Sequence, residues 1–303
     1  MQAPETLLDR ATLEKLERLT LRWQRSFQGL LGGNNVSRFP GVGHEFLDHR
    51  HFHSGDDLRA VNWRAYLRLD RLFLKLFRTE PRTPVRILID VSDSMSCGAP
   101  AQGSGDAKFV YACRVAAALT YVGLVRLESV TLQPFSDRLG ESFRAQGGRH
   151  RFAPASRFLS ALHCEGRSDF AAVARAFCDA SSMPGLTLIL SDFLDDADIV
   201  APLQNIADMG HELALIHLAG PEERMPPLDG ELELVEAESG ALVRVHVDRE
   251  AAGEHAAAYD AYAERIERVA LRNGGRYELL TTDLSIEEAL FESMRALGAV
   301  TLQ

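Results

Sequence analysis

The residues best suited to chemistry in this sequence are Asp90, Ser92 and Ser94, which place one carboxylate and two hydroxyls at alternate positions. Three small oxygen donors on one turn suit a hard cation such as Mg2+, which takes oxygen ligands and keeps several waters. A plainer alternative is a polar turn in which Ser94 or Ser96 caps the next helix. Taken alone, this short motif does not separate the two interpretations.

Two apolar runs in the sequence each end next to an aspartate. Residues 85–89 are mostly apolar and end at Asp90, as in a strand buried on both faces of a parallel sheet. Residues 186–190 form a second such run, which ends in Ser191 and Asp192. Because open parallel sheets bind ligands at the carboxyl ends of their strands, we expect both carboxylates at one sheet edge.

Ser168 adds a third loop to this predicted site. It stands just before a helix predicted over residues 169–180, so its hydroxyl could cap that helix and also reach the metal. Two carboxylates and three hydroxyls leave at least one coordination position open for a carboxylate from a partner protein. The predicted cofactor is Mg2+, with Mn2+ or Ca2+ as substitutes, and the predicted ligands are Asp90, Ser92, Ser94, Ser168 and Asp192.

Strand and helix signals alternate after residue 84. Apolar runs predict strands at residues 85–89, 130–135, 186–190, 213–218 and 277–280. Helical periodicity is found at residues 108–127, 156–162, 169–180, 199–209, 256–272 and from Ser285 onward. This order predicts an α/β fold with a doubly wound, mostly parallel sheet. Two alternating runs over about residues 231–248 predict an inserted β-hairpin.

The first 84 residues are expected to form a leader that packs on a core domain spanning residues 85–303. The leader carries 14 Lys and Arg against 10 Asp and Glu, whereas the remainder carries 19 against 33. This asymmetry suggests that the two parts face each other or different partners, but a solvated surface without a partner is the plainer and favoured explanation. A strand is predicted at residues 72–78. An amphipathic helix is predicted from apolar residues at helical spacing, namely Leu13, Leu16, Leu19, Trp23 and Phe27.

The segment Asp90-Val-Ser92-Asp-Ser94 resembles the D-x-S-x-S element of the metal-ion-dependent adhesion site in von Willebrand factor A-like domains. In this resemblance Ser168 occupies the position where the family usually has Thr, and the serine keeps the hydroxyl group. Asp192 occupies the position of the family's distal Asp. The resemblance implies a Rossmann-like von Willebrand A fold and a divalent cation that accepts an acidic side chain from a protein partner.

The leader resembles the signature of the domain-of-unknown-function 58 family, and the resemblance runs from about Arg38 to Leu297. That family is bacterial and von Willebrand A-like, and its members often accompany MoxR-type AAA+ ATPases. Asn62 departs from the pattern, since the family commonly has Asp there. The matching residues are Glu45-Phe46, Arg50, Phe52, Gly55-Asp56-Asp57-Leu58-Arg59, Val61-Asn62-Trp63 and Glu80.

Five residues of the leader signature have two possible roles. The charged members can pair internally and fix the leader against the sheet, with the tryptophan as an anchor, or they can contact a partner directly. Conspicuous charged motifs often form structural ion-pair networks, which favours the internal clasp. These residues are Arg50, Asp56, Asp57, Arg59 and Trp63.

Composition disfavours several classes of protein. A formal charge of -10 over 303 residues argues against broad nucleic-acid binding. The four cysteines show neither paired nor zinc-ligand spacing, which fits a reducing cytosol. The N-terminus lacks the order of a signal peptide, and the longest nearly apolar run, residues 115–125, is shorter than the ~20 residues that span a bilayer. We therefore expect a cytoplasmic protein without membrane insertion.

Two rival sites remain. Histidines at positions 44, 49, 51 and 53 suggest zinc, but no second cluster of His or Cys accompanies them, which favours a half-exposed histidine-rich strand instead. A Mg2+-dependent phosphoesterase-like hydrolase could use Asp90 and Asp192, with Arg167 near the transferred group. The favoured interpretation is an adaptor, more a binding module than an enzyme, that partners a MoxR-type AAA+ ATPase in assembling or remodelling another complex.

Overall fold

The computed structural model divides the chain into two compact units. One unit comprises residues 1–25 and 83–303, and the other comprises residues 26–82. Residues 1–25, which the sequence assigned to the leader, therefore belong to the larger unit. The structure describes residues 7–16, 19–21, 45–53, 61–78, 84–97, 107–125, 129–181, 183–237, 240–290 and 300–302.

The N-terminal helix is shorter than predicted. Helix α1 spans Arg10–Leu16, and strand β1 follows at Leu19–Leu21. This strand pairs antiparallel with Val300–Leu302, so the helix predicted over residues 13–27 is wrong at Leu19. Periodicity within one segment cannot show hydrogen bonds to a strand at the other end of the chain. Leu16 is completely buried in the core of the larger unit, as an apolar helix face requires.

The smaller unit contains strand β2 (Glu45–His51), helix α2 (Trp63–Leu69) and strand β3 (Phe73–Arg78). The two strands pair antiparallel, which confirms the strand predicted at residues 72–78. Asn62 is the N-cap of α2, and its side chain accepts a hydrogen bond from the Ala65 N–H at 3.3 Å. An uncharged amide therefore has a structural role at this position.

The larger unit is a mixed α/β structure around a six-stranded sheet. Its strands are, in spatial order, Arg276–Thr281 (β11), Glu212–Ala219 (β8), Leu186–Ser191 (β7), Pro84–Asp90 (β4), Ser129–Phe135 (β5) and Phe143–Gln146 (β6). All neighbours are parallel except β5 and β6, which confirms the predicted mostly parallel sheet. Strands Gly230–Val235 (β9) and Leu242–Val247 (β10) form the predicted hairpin. The elements after β3 are β4 (Pro84–Asp90), α3 (Lys108–Val125), β5 (Ser129–Phe135), β6 (Phe143–Gln146), α4 (Phe152–Ser160), α5 (Phe170–Ala180), β7 (Leu186–Ser191), α6 (Val200–Asp208), β8 (Glu212–Ala219), β9 (Gly230–Val235), β10 (Leu242–Val247), α7 (Arg249–Arg272), β11 (Arg276–Thr281), α8 (Ile286–Glu288) and β12 (Val300–Leu302).

The central strands are mostly apolar because both faces of the sheet are covered. Ile87 and Leu188 lie in one hydrophobic cluster, which also contains the buried face of α3. Leu88 and Ile189 lie in a second cluster, together with residues of α5, α6 and α7. Successive side chains of a strand point to opposite faces, so neighbouring residues enter different clusters. Helices therefore pack on both faces of the sheet.

Helix α3 is apolar along most of its length. Its 18 residues have a mean hydropathy of 1.4, so by length and composition it could cross a membrane. The run that the sequence analysis considered was shorter, at residues 115–125. In the structure 78% of the helix is buried inside the protein, against the central sheet. A buried core helix has the same composition, so hydropathy alone does not assign α3 to a membrane.

The strand order creates one crevice suited to a ligand. After β4 the chain forms β5 on one side of that strand, and it later forms β7 on the other side. The connections therefore diverge between β4 and β7, at the carboxyl ends of these strands. Open α/β sheets bind ligands at such switch points. Asp90 ends β4 and Asp192 directly follows β7, so this topology places the two residues next to each other.

A buried ion pair between β8 and β11 provides a test of the sheet. Arg276 Nη1 lies 2.7 Å from Glu212 Oε1, and both side chains are almost fully buried. We expect Glu212→Ala to lower the free energy of unfolding by about 3–5 kcal/mol, because a buried guanidinium loses its counter-charge. Urea denaturation measures this loss.

The exposed pair of Arg10 with Glu14 in α1 is the matched control. Glu14→Ala should leave the denaturation midpoint almost unchanged, because solvent screens an exposed pair. Equal effects of the two substitutions would contradict the structural role of Glu212.

Candidate metal centre

Asp90 is the last residue of β4, and its side chain is completely buried. Oδ1 accepts a hydrogen bond from the Ser92 backbone N–H at 2.9 Å, and Oδ2 accepts one from Ser191 Oγ at 2.5 Å. The first bond is a local aspartate turn, which leads the chain from the strand into a short 3-10 helix at Asp93–Ser96. The carboxylate is thus held in place by neutral donors.

Ser92 and Ser94 lie together beside this turn. Their Oγ atoms are 3.0 Å apart, and both residues are buried. The 3-10 helix begins after Ser92 and brings the second hydroxyl back towards the first. Two hydroxyls at this separation can each turn a lone pair towards one cation.

Asp192 stands directly after β7, and its side chain is 1% exposed. Its Oδ2 atom lies 2.7 Å from Lys108 Nζ, while Oδ1 accepts a hydrogen bond from the Leu194 N–H at 3.1 Å. Lys108 is the first residue of α3, and its ammonium also lies 2.8 Å from Glu223 Oε1. Burial lowers the pKa of Lys108, but the Asp192 and Glu223 carboxylates outweigh it and raise that pKa above its ordinary value. This lysine was not among the predicted site residues, since nothing in its local pattern indicates a partner 84 residues away.

Ser191 is a second residue that the sequence analysis did not assign to the site. Its buried hydroxyl donates to Asp90 and accepts a hydrogen bond from the Phe193 N–H at 2.7 Å. The backbone angle φ of Phe193 is 55°, a left-handed conformation that is energetically unfavourable for a bulky residue. Its carbonyl accepts from Tyr262 Oη at 2.6 Å, and its ring stacks on Phe170. Ser191 therefore links the two strand ends and holds the turn that carries Asp192.

The loop that carries Ser168 is joined to the turn after β4. Asp93 N donates to the Gly166 carbonyl at 2.9 Å, Gly166 N donates to Asp93 Oδ2 at 3.3 Å, and Glu165 N donates to the Val91 carbonyl at 2.7 Å. Ser168 follows in this loop and is half-buried. The N-cap of α5 is Asp169, whose side chain accepts from Ala172 N at 2.8 Å, so the expected cap by Ser168 is wrong.

Electrostatics favour a cation near Asp90. Burial, reinforced by the neighbouring Asp192 carboxylate, raises the pKa of Asp90 to about 7, although hydrogen bonds from Ser191 and Ser92 oppose this rise. In the described part of the chain, no lysine or arginine pairs with Asp90. A divalent cation would supply the missing positive charge.

The donor set fits a hard cation. It consists of carboxylate and hydroxyl oxygens, which suit Mg2+ better than a soft metal. Within the described ranges there is no group of three or more His, Cys, Asp or Glu side chains that could hold a metal. The candidate site therefore depends on its serine hydroxyls as well as on its two aspartates.

The leader residues are only partly described. Arg50 lies in β2, whereas Asp56, Asp57 and Arg59 lie outside the described residues. Trp63 begins α2, is 55% exposed, and meets Tyr66 edge to face with ring centroids 6.2 Å apart. The clasp proposed for these five residues stays a prediction.

The predicted histidine cluster is also only partly described. His49 and His51 both lie in β2, and His44 lies outside the described residues. The ring of His51 packs against Phe73, with ring centroids 4.7 Å apart. This contact gives that histidine a packing role within the smaller unit.

The fold and the site define a mixed α/β protein with a polar cluster at the switch point of a mostly parallel sheet. Residues 48–265 match the family described as "Protein of unknown function DUF58", and the chain belongs to this family. It is 24% identical over 271 residues to uncharacterized protein Rv1480 of Mycobacterium tuberculosis and, equally, to uncharacterized protein Mb1516 of Mycobacterium bovis. Each match covers 88% of this chain and 84% of the relative.

Several solved structures are distantly similar. Conserved hypothetical protein BatB from Bacteroides thetaiotaomicron is 14% identical, with a TM-score of 0.44 and coverage of 71% of this chain and 98% of that one. An aerotolerance-related membrane protein from Bacteroides fragilis is 15% identical, with a TM-score of 0.40 and coverage of 71% and 99%. An uncharacterized membrane spanning protein from Vibrio fischeri is 13% identical, with a TM-score of 0.22 and coverage of 70% and 98%.

These similarities correct the expected location. Two of the similar structures are described as a membrane protein and as a membrane spanning protein, so the cytoplasmic location expected from the sequence is withdrawn. At such low similarity they assign neither another location nor a function to this chain.

Ser191 provides a test of the site that needs no metal. Ser191→Ala removes one donor from a buried carboxylate and leaves the buried Phe193 N–H without its acceptor. We expect a loss of about 1–3 kcal/mol in the free energy of unfolding, measured by urea denaturation.

Ser96→Ala is the control, since Ser96 is exposed and its hydroxyl donates to the Asp93 carbonyl at 2.6 Å. Its effect should be clearly smaller, because water can replace an exposed bond. A loss for Ser191→Ala no larger than that for Ser96→Ala would show that the serine does not hold the two strand ends together.

Proposed function

We propose that this protein is a metal-ion-dependent protein-binding module of the von Willebrand factor A type. Asp90, Ser92 and Ser94 would hold a divalent cation, with Ser168 and Asp192 acting directly or through water. The observation that carries the proposal is the buried Asp90 carboxylate at the switch point, which has only neutral donors among its described partners. The cation would be Mg2+, or Mn2+ or Ca2+ in its place.

The side chains of this chain would orient the cation and leave it accessible. Ser191 and the Ser92 N–H fix both oxygens of Asp90, so the carboxylate is already in position before a metal arrives. The bound cation would supply a Lewis-acid position for a carboxylate from another protein. Because the site then contains few anionic ligands, an acidic side chain from the partner would bind to it favourably.

The proposed partner is an AAA+ ATPase of the MoxR type. Support comes from the sequence resemblance, since proteins of this family often accompany such ATPases. The module would act as an adaptor when the ATPase assembles or remodels another complex. A genomic neighbour encoding such an ATPase would support this partner.

The hydrolase alternative receives no specific support. A transferring phosphoryl group needs a nearby positive charge, and Arg167 was the candidate. In the structure the Arg167 guanidinium is paired with Asp196 at the surface. Lys108 is the positive charge at the site, but its ammonium is already paired with Asp192 and Glu223. Recognition of a carboxylate needs no free positive side chain and is the better match to the site.

Asp90→Ala tests the metal site directly. The variant should lose measurable Mg2+ binding in isothermal titration calorimetry, because it removes the anionic ligand at the centre of the site. Circular dichroism should show that the variant remains folded. Asp137→Ala, in the exposed turn after β5, is the control and should bind Mg2+ like the wild type. Unchanged affinity in folded Asp90→Ala would refute the metal centre.

The partner is tested with purified proteins. The MoxR-type ATPase from the same genome should be retained by the immobilised wild-type protein in the presence of Mg2+. Retention should disappear in excess EDTA and with Asp90→Ala, because the partner's carboxylate would bind to the cation. Retention that persists under both conditions would rule out metal-dependent recognition of this ATPase.

A further inference from the structure

Lys108 places a positive charge inside the candidate metal centre. Its side chain is 2% exposed, and its Nζ atom lies 2.7 Å from Asp192 Oδ2 and 2.8 Å from Glu223 Oε1. A buried ammonium is stable only when carboxylates compensate its charge, and this one has two. Lys108 is therefore a fixed part of the cluster.

The two aspartates are in different electrostatic states as a result. Asp192 is bonded to the ammonium through Oδ2 and to the Leu194 N–H through Oδ1. Among the residues that the structure describes, the hydrogen bonds to Asp90 come from neutral groups, namely Ser92 and the Ser191 hydroxyl. A cation entering the site would thus meet one available carboxylate and one that another cation already holds.

We propose that Lys108 is an internal cation that holds Asp192 away from a bound metal, so that Asp90 is the direct ligand and the metal is bound weakly and exchangeably. This inference rests on the proposed function. Lys108 is then a positioning residue, which lowers the affinity of the site for the divalent cation by competing with that cation for Asp192. A site with weak affinity fits a role in which the partner's carboxylate completes the coordination.

Glu223 is the second carboxylate that pairs with the ammonium. It lies in the loop after β8, which is attached to α7 by two contacts. The Glu223 carbonyl lies 2.8 Å from His255 Nε2, and Arg224 makes a bidentate ion pair with Asp260 at 2.7 and 2.6 Å. Because this loop is anchored, Lys108 is shared between two carboxylates on separate elements.

The formal charges allow a matched design. Asp90, Asp192, Glu223 and Lys108 together carry a charge of -2, which one dication balances. Lys108→Met raises the negative charge by one, whereas the double variant with Glu223→Gln restores the wild-type total. Only the double variant releases Asp192 at constant net charge. It also leaves fewer unpaired carboxylates than the single variant, which favours folding.

Isothermal titration with Mg2+ compares the wild type with both variants. We expect the charge-matched double variant to bind Mg2+ at least about tenfold more tightly than the wild type, since Asp192 becomes an available ligand. The shift of the melting temperature on adding Mg2+ should be larger in the same variant. Lys15→Met, which removes an exposed lysine of α1, should match the wild type.

The outcomes separate this inference from the proposed function. Wild-type binding with equal or weaker binding by the folded double variant would overturn the role of Lys108 and leave the metal centre standing. No Mg2+ binding by any of these proteins would overturn both. If the double variant does not fold, Glu223→Gln alone decides. It should bind Mg2+ more weakly, since Asp192 then holds the whole ammonium, and unchanged or tighter binding would refute the competition.

Discussion

The structure around the candidate site depends on one buried carboxylate, that of Asp90. A carboxylate without contact with water is costly unless donors or a cation compensate its charge. Here the Ser191 hydroxyl and the Ser92 N–H supply the donors, and burial beside Asp192 still raises the pKa of Asp90 to about 7. Serine at the end of β7 and the tight turn after β4 are therefore consequences of keeping this group in the interior.

The same constraint explains why the surrounding elements converge. Helix α3 packs its apolar residues against the sheet and carries Lys108 at its first position. The ammonium compensates Asp192, and Glu223 compensates the ammonium from the loop after β8. One helix thus serves the hydrophobic core and the electrostatics of the crevice. Its apolar composition resembles that of a membrane span because most of the helix is buried in the hydrophobic core.

Two of the places where sequence reasoning failed lacked non-local information. Leu19 fits the helical period of the residues before it, yet it forms a strand because Val300–Leu302 supplies backbone partners. Ser191 looks like an ordinary strand-end residue until β4 and β7 are placed side by side. The location expected from composition also failed, because hydropathy and charge describe the chain and not its surroundings.

The sequence by itself determined the alternation of strands and helices, the mostly parallel sheet, and the pair of strand ends that carry Asp90 and Asp192. These features follow from local periodicity and from the rule that parallel strands share a carboxyl edge. Only the tertiary structure decided which charges meet there. Lys108 lies 84 positions from Asp192, and its ammonium could have faced solvent under the same local pattern. The pairing exists because burial of both groups makes separation costly, and burial is a property of the folded chain.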